Sequence, residues 1–236
     1  MFNRCQRCGG TNTEYFSKTL TELTGPPHTP CVCNDCGFVS YGKPMDLRSC
    51  IHGQHRQDYI HKEGKDLYGI EYFENMLRMY AKTAEDIATI RWKFVADVDP
   101  DTVLDYGSGV GWFRAHRPIG VHVDSYDIAD VPQTGICLEH YDLVCFWDVL
   151  EHIPNFEVIH NVLDSTNHVA LTVPVLPDGV KIENWKHWKP GEHLHYFSVE
   201  MLDAMFREFD FKRIKVSMCE CPPRQDVQSF LFKKSH

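Results

Sequence analysis

Three alternate glycines preceded by an acid form the group of residues with the clearest chemical meaning in this sequence: Gly107, Gly109 and Gly111, with Asp105 before them. A residue without Cβ readily adopts positive φ and lets a ligand lie directly against the backbone. The β-branched and apolar residues at 102–104 predict a buried strand before this turn, and a helix can begin at Trp112 after it. A strand, a glycine turn and a helix N-terminus together predict a nucleotide pocket.

The spacing of the glycines excludes two common nucleotide-binding loops. A dinucleotide fingerprint, Gly-x-Gly-x-x-Gly, would require glycine at position 112, where the sequence has Trp112. A phosphate loop would end in Gly-Lys-Ser or Gly-Lys-Thr, and neither follows here. The pattern that remains is acid-x-Gly-x-Gly-x-Gly.

A second predicted strand, 121–127, ends in an acid eighteen residues after Gly109. In a doubly wound sheet an acid at the end of that strand is placed to accept hydrogen bonds from both ribose hydroxyls of a nucleotide. We select Asp127 for this role, with Asp124 as the alternative if the strand ends earlier.

Two later blocks complete a pattern. An apolar strand at 141–147 runs into Asp148-Val149-Leu150-Glu151-His152, and Glu192–Ser198 reads EHLHYFS. With the glycine turn and the acid-ended strand, these blocks resemble class I S-adenosylmethionine-dependent methyltransferases, over about residues 72 to 234. The last block is similar to one found before the final helix in many small-molecule and glycan methyltransferases of this type.

The resemblance implies an α/β fold with a Rossmann-like, doubly wound, mostly parallel sheet, and S-adenosylmethionine as the cofactor. It also implies that the loop after the fourth strand flanks the methionine end of that cofactor. The expected cofactor contacts are Asp105, Tyr106, Gly107, Gly109, Gly111, Asp127, Ile128, Trp147 and Asp148.

The chain departs from the family pattern after the second strand. Only thirteen residues separate Asp127 from Tyr141, where the family usually has a helix, a third strand and an acid that contacts adenine. We expect the third strand to be short or missing. Asp130 is one candidate for the adenine contact, and Ile128 with Cys137 flanking the ring is the other.

Hydrophobic periodicity and turn residues place the remaining elements. Apolar residues spaced three and four apart predict one or two helices between 70 and 97, ended by Asp99-Pro100-Asp101. Helices are also predicted at 155–165 and at 198–209, the latter capped by Ser198. Strands are predicted at 168–175, 211–219 and 226–233, with the last two antiparallel. A loop at 176–190 holds aromatic residues, histidines and lysines and is expected to grip a substrate.

Four of the ten cysteines form two Cys-x-x-Cys pairs near the start of the chain, Cys5 with Cys8 and Cys33 with Cys36. Each pair is followed by glycine, and paired knuckles of this kind close a tetrahedral structural zinc site. Disulfides are the alternative, and they are rare in a reducing compartment. We therefore predict a zinc ribbon at 1–42 holding one Zn²⁺, with Cys31 as a possible substitute for Cys33.

A polar connection at 43–69 follows the predicted ribbon and leads to the methyltransferase domain, 70–236. Cys50, His52, His55 and His61 lie in it, so a second metal site is conceivable. Because their spacing matches no standard ligand set, we favour a linker that covers the catalytic pocket. A ribbon followed by such a linker resembles the amino-terminal arrangement of some bacterial and phage sugar or glycan methyltransferases.

Methyl transfer from a sulfonium requires alignment of the acceptor, exclusion of water and, for a hydroxyl or carbon acceptor, removal of a proton. A base with a pKa near neutrality suits the last task, and His152, His193 and His195 are the candidates, with Tyr196 beside them. We expect only one of His193 and His195 to face the pocket. The alternative role for these histidines is to hydrogen-bond loops together.

Composition limits the class of partner and the compartment. A net charge of −9 and a pI near 5.8 disfavour a broad phosphate-binding surface. No apolar run approaches the roughly 20 residues of a bilayer span, and no signal peptide is evident, so we expect a cytoplasmic protein.

The sequence thus predicts a methyltransferase acting on oxygen, nitrogen or carbon of a small-molecule or glycan acceptor. One alternative is an RNA base methyltransferase that uses the zinc ribbon to hold its substrate, although the acidic charge disfavours it. The other is a catalytically inactive cofactor-binding protein that serves as an interaction module.

Overall fold

In the computed structural model, the described residues are 13–15, 30–33, 39–41, 61–62, 65–66, 70–127, 140–153, 156–189, 192–220 and 224–235. Within them the chain forms twelve strands: β1 (Thr13–Tyr15), β2 (Pro30–Cys33), β3 (Val39–Tyr41), β4 (His61–Lys62), β5 (Lys65–Asp66), β6 (Thr102–Tyr106), β7 (His122–Tyr126), β8 (Leu143–Trp147), β9 (His168–Pro174), β10 (His195–Tyr196), β11 (Phe211–Ser217) and β12 (Val227–Lys234).

The helices of the same residues are α1 (Ile70–Val95), α2 (Trp112–Ala115), α3 (His160–Asp164) and α4 (Val199–Arg207). Short 3₁₀ segments lie at Ala96–Val98, Leu150–His152, Phe156–Ile159 and Ile182–Asn184. The predicted cap of α4 is confirmed, because the Ser198 hydroxyl accepts a hydrogen bond from the Met201 N–H. Among the described helices, none combines the length and apolar character needed to cross a membrane.

Six strands build the main sheet in the order β11-β12-β9-β8-β6-β7. The four strands from β9 to β7 are parallel, whereas β12 runs antiparallel to both β9 and β11. The predicted doubly wound, mostly parallel sheet with an antiparallel end is therefore confirmed. β6 is the first strand of the parallel part, with β7 on one side and β8 on the other. Ligands of open α/β sheets bind outside the carboxyl ends of strands at such a switch point.

The sheet is apolar on both faces, and helices cover each of them. Consecutive residues of β6, Val103 and Leu104, belong to different core clusters because side chains alternate across a strand. One face packs against the end of α1 and against Phe113 of α2, and the other packs against α3 and α4. All five residues of β8 are buried, as expected for a central strand covered on both sides.

The expectation about the third strand falls largely outside the described residues. The described sheet ends at β7, and residues 128–139, which include Ile128, Asp130 and Cys137, are not among those described. The adenine contacts therefore stay a prediction.

A second, smaller sheet joins three strands near the start of the chain to β10, which lies between β9 and α4 in sequence. Its order is β1-β2-β3-β10, and β10 pairs antiparallel with β3, so that His195 lies opposite Ser40 and Tyr196 opposite Val39. Of the predicted zinc ligands, Cys33 ends β2, whereas Cys5, Cys8 and Cys36 lie outside the described residues. The backbone of the predicted ribbon region thus joins the segment that contains two of the predicted site residues.

Candidate active site

The glycine turn is anchored to the end of β7. Gly107, Gly109 and Gly111 have φ values of 79°, 53° and 82°, a region that glycine occupies at low cost. The N–H groups of Gly107 and Ser108 donate to the Tyr126 carbonyl at 2.7 and 3.0 Å. These bonds hold the turn at the carboxyl edge of the sheet, beside the switch point.

Asp127 lies directly against this turn, because its Oδ2 accepts a hydrogen bond from the Gly109 N–H at 2.7 Å. The alternative acid, Asp124, is 8% exposed and accepts a hydrogen bond from the Tyr141 hydroxyl at 2.9 Å. Of the two acids, Asp127 is thus the one that the fold brings to the glycines.

Asp105 is a buried carboxyl group at the start of the turn. It is 1% exposed, and its Oδ2 has no hydrogen-bond partner among the described residues. Burial raises its pKa to about 7, and Asp127 adds to the rise while Arg91 opposes it. An unpartnered buried oxygen beside a glycine turn fits a ligand that brings its own hydrogen-bond donors, such as the ammonium group of S-adenosylmethionine.

Two aromatic residues complete the surroundings of the turn. Tyr106 packs against Tyr126, with ring centroids 4.7 Å apart, and burial raises the pKa of its hydroxyl. Trp147, at the end of β8, is 5% exposed, and its Nε1 has no hydrogen-bond partner among the described residues. The predicted residues Asp105, Tyr106 and Trp147 are therefore adjacent to the same edge as the glycines.

We expect Asp105 to give the protein a distinctive pH dependence. Its pKa is raised from about 4 in the unfolded chain to about 7, so the folded state binds more protons between these values. The stability it contributes is complete below about pH 4 and is lost as the pH rises through 7, by at most about 1.4 kcal/mol per pH unit. Urea unfolding of the wild type and of Asp105→Asn should be measured from pH 4 to 8. As the pH rises, the free energy of unfolding of the variant should increase relative to that of the wild type. Parallel curves would contradict the assignment.

Asp148, predicted at the methionine end, is held in a cluster of four charges that sequence reasoning missed. The Arg91 and Arg224 guanidinium groups each donate to it, at 2.7 and 2.6 Å, and both also contact Glu220. Glu220 is 1% exposed. These residues come from α1, the end of β8 and the connection between β11 and β12, so no local spacing in the sequence could have found them.

Burial alone would raise the pKa of Asp148, but Arg224 and Arg91 hold it below its usual value. This carboxylate is therefore ionised and fully paired at physiological pH. Asp148 itself has a φ of 60°, an unfavourable value for a residue with a Cβ. Strain of this kind is typical of functional loops held by their surroundings.

Two of the predicted histidines are brought together. The rings of His152 and His193 meet edge to face with centroids 4.9 Å apart, and His152 Nδ1 lies 2.8 Å from the Glu192 carbonyl oxygen. Burial lowers the pKa of both rings, that of His193 to about 3, so both are neutral at physiological pH. Glu151 lies beside them, 2% exposed, and burial together with Asp148 raises its pKa well above the usual value.

His195 and Tyr196 occupy different surroundings. His195 is 2% exposed, its Nε2 lies 2.6 Å from the Ile153 carbonyl oxygen, and its ring packs against Phe156. Burial lowers its pKa to about 4. Tyr196 packs against Trp185 and Trp188 of the predicted substrate loop, and its hydroxyl accepts from the Lys189 N–H. His193 lies before β10 and packs against His152, whereas His195 belongs to β10. The two histidines are separated because only one of them is in the strand.

The sheet order, the glycine turn and the acid at the end of β7 together define the fold and site of a class I S-adenosylmethionine-dependent methyltransferase. A family model described as a methyltransferase domain matches residues 72–216. This match covers more than half of the chain, and the chain belongs to that family. The predicted enzyme class is therefore confirmed. No curated protein sequence matches the chain.

Solved structures show the same fold at low sequence identity. The chain is similar to 1,6-didemethyltoxoflavin-N1-methyltransferase of Burkholderia thailandensis (TM-score 0.55, 12% identity, 95% of this chain and 100% of that one). It is also similar to mitomycin 7-O-methyltransferase (TM-score 0.53, 10% identity, 70% of this chain) and to a candidate O-methyltransferase of Nostoc punctiforme (TM-score 0.49, 16% identity, 70% of this chain). The chain spans 56% and 59% of the lengths of these two proteins.

Proposed function

We propose that this protein transfers a methyl group from S-adenosylmethionine to a small-molecule acceptor bound at the carboxyl edge of the main sheet. Three features that meet there carry the proposal: the glycine turn, Asp127 on the Gly109 N–H, and the Oδ2 of Asp105, which has no hydrogen-bond partner among the described residues. When bound, S-adenosylmethionine supplies an electrophilic methyl group on a sulfonium. The protein has to bind, align and shield it.

We assign the cofactor residues as follows. Asp127 accepts hydrogen bonds from the ribose hydroxyls, Asp105 receives the ammonium group, and the glycine backbone allows close approach of the ligand. Trp147 and Asp148 border the methionine end, and Ile128 is proposed to flank the adenine. The positive φ of the glycines and the burial of Asp105 support these roles.

The acceptor is proposed to lie between the His152–His193 pair and the aromatic residues of the 176–190 loop. We assign the handling of the acceptor proton to this pair, because the two rings meet and both are neutral at physiological pH. His195 and Tyr196 are proposed to hold the neighbouring loop in place, since each packs against aromatic residues. The toxoflavin-type and mitomycin substrates named for the two structural neighbours support an acceptor of small-molecule size.

A sugar or glycan acceptor, covered by an amino-terminal zinc ribbon, is the finer form of this proposal. The pairing of β3 with β10 supports it, because it joins the predicted ribbon region to the acceptor side of the domain. One structural Zn²⁺ on Cys5, Cys8, Cys33 and Cys36 remains part of the proposal. The net charge of −9 favours this acceptor over RNA.

Calorimetric titration with S-adenosylmethionine and S-adenosylhomocysteine tests the proposed cofactor site. We expect micromolar binding by the wild type and about 100-fold weaker binding by Asp127→Ala, because each hydrogen bond to a charged group contributes roughly 1.5–3 kcal/mol. Asp101→Ala is the matched control, because this exposed acid lies just before the N-terminal end of β6, whereas the glycine turn follows the C-terminal end. Equal affinity in wild type and Asp127→Ala would refute the ribose assignment, and no binding by the wild type would refute the cofactor.

A further inference from the structure

Glu151, His152 and His193 lie close enough to share a metal ion. One ligand atom from each residue, a carboxylate oxygen or an imidazole nitrogen, lies within 4.8 Å of the other two. Glu151 is 2% exposed, and its Oε2 has no hydrogen-bond partner among the described residues. A buried carboxylate oxygen without a donor is unfavourable unless a proton or a cation occupies the space beside it.

The hydrogen bond made by His152 is of the kind that metal-binding histidines make. Its Nδ1 lies 2.8 Å from the Glu192 carbonyl oxygen, which can only accept, so Nδ1 carries the hydrogen and the lone pair lies on Nε2. Metal-binding histidines generally donate their other ring N–H to a carbonyl or carboxylate in this way, which holds the ring and its tautomer.

The backbone holds the three residues together without a metal. Glu151 and His152 belong to the 3₁₀ segment after β8, and the Leu194 N–H donates to the Glu151 carbonyl at 2.7 Å. The His193 N–H donates to the Lys189 carbonyl at 3.0 Å. The segment with Glu151 and His152 is thus hydrogen-bonded to the segment with His193, so the arrangement of the three side chains does not depend on a bound metal.

The charged groups beside the cluster are paired with one another. Asp148, the neighbouring acid, is paired with Arg91 and Arg224, so it does not compete for a metal. Lys189 of the 176–190 loop is paired with Glu192 at 2.8 Å. The paired neighbours thus leave Glu151 as the carboxyl group that is available to a cation.

We propose that Glu151, His152 and His193 bind one divalent transition-metal cation that holds the acceptor through its oxygens. Two histidines and one carboxylate leave coordination positions open, which suits an acceptor that chelates through two neighbouring oxygens, such as vicinal hydroxyls or a hydroxyketone. A bound cation favours the ionised form of a hydroxyl, and the ionised oxygen is the stronger nucleophile. In the metal-bound protein both imidazoles are ligands, so the acceptor proton passes to solvent and not to the histidine pair. The role in catalysis rests on the proposed function, whereas the metal site itself does not.

Titration of the full-length protein with Mn²⁺, followed by electron paramagnetic resonance, tests the site. Mn²⁺ is chosen because it prefers oxygen and imidazole ligands to the thiolates of the cysteine pairs. We expect about one tightly bound Mn²⁺ per chain in the wild type and at least 100-fold weaker binding in Glu151→Gln and in His193→Gln. The controls are Glu183→Gln and His187→Gln, a carboxylate and an imidazole of the 176–190 loop outside the cluster, and these variants should bind Mn²⁺ as the wild type does.

Three outcomes would overturn the inference: no Mn²⁺ bound by the wild type, unchanged binding in both site variants, or equal losses in the controls. If the site variants fail to fold, wild-type protein with ¹⁵N-labelled histidine answers the question through electron spin echo modulation. Coupling of Mn²⁺ to two imidazole nitrogens supports the site, and absence of that coupling overturns it. The calorimetric titration with S-adenosylmethionine does not depend on the Mn²⁺ titration. Mn²⁺ binding without S-adenosylmethionine binding would therefore refute the proposed function and leave the metal site standing.

Discussion

Replacing Gly107 by alanine should lower the free energy of unfolding by about 3 kcal/mol and weaken S-adenosylmethionine binding. Its φ of 79° lies in the left-handed region, where a Cβ costs roughly 1–2 kcal/mol. The added Cβ would also overlap Cγ2 of Val149, the residue after Asp148, and overpacking of this kind costs typically 1–3 kcal/mol. Urea unfolding and calorimetric titration measure the two effects.

Gly111→Ala separates backbone strain from overlap. Gly111 has nearly the same φ, 82°, but an added Cβ there meets no atom of the described residues within 4 Å. We expect it to lose only the roughly 1–2 kcal/mol due to φ. Adding Val149→Ala to Gly107→Ala should restore part of the lost stability, with a favourable coupling energy of about 1 kcal/mol. Equal losses at both glycines would contradict the proposed contact with Val149.

Replacing Arg91 by methionine should destabilise the protein by about 3–5 kcal/mol, the usual cost of removing one partner from buried charges. Arg91 is 13% exposed in its side chain, donates to Glu220 and Asp148 at 2.7 Å each, and lies over the Trp147 ring. Methionine keeps most of the side-chain volume, so the loss reports the charge. Two carboxylates would then share Arg224 alone.

Lys215→Met is the matched control for a cation at the surface. Lys215 pairs with the exposed Asp97, and we expect a loss of at most about 1 kcal/mol. Acid provides a second check. The pKa of Asp148 is lowered on folding, so its contribution exists above pH 4 and is lost as the pH falls. The difference between wild type and Arg91→Met should therefore shrink below pH 4, and a constant difference would count against the ion pairs as its cause.

The order of elements along the chain follows from local sequence. The strands predicted at 168–175, 211–219 and 226–233 correspond to β9, β11 and β12, and Ser198 caps α4 as expected. Alternation and capping depend on neighbours in sequence, so they are readable without a fold. Hydrophobic periodicity did not distinguish a 3₁₀ segment from an α-helix, because packing decides between the two. The helix predicted at 155–165 is, within the described residues, a 3₁₀ segment at Phe156–Ile159 followed by α3.

The sequence by itself indicated the enzyme class, through the resemblance of four blocks to class I methyltransferases. The spacing of Asp105, the three glycines and Asp127 also specifies a turn between two adjacent parallel strands. Such a turn needs only local backbone freedom and the period of a strand. The tertiary structure alone decided the rest of the candidate site. Arg91 lies 57 residues before Asp148, and Arg224 lies 76 after it, yet both contact its carboxylate. His193 meets His152 from a different loop, while His195, two residues later, is buried elsewhere. Contacts between distant segments depend on how strands are ordered and loops are packed, and residue spacing along the chain contains no record of either.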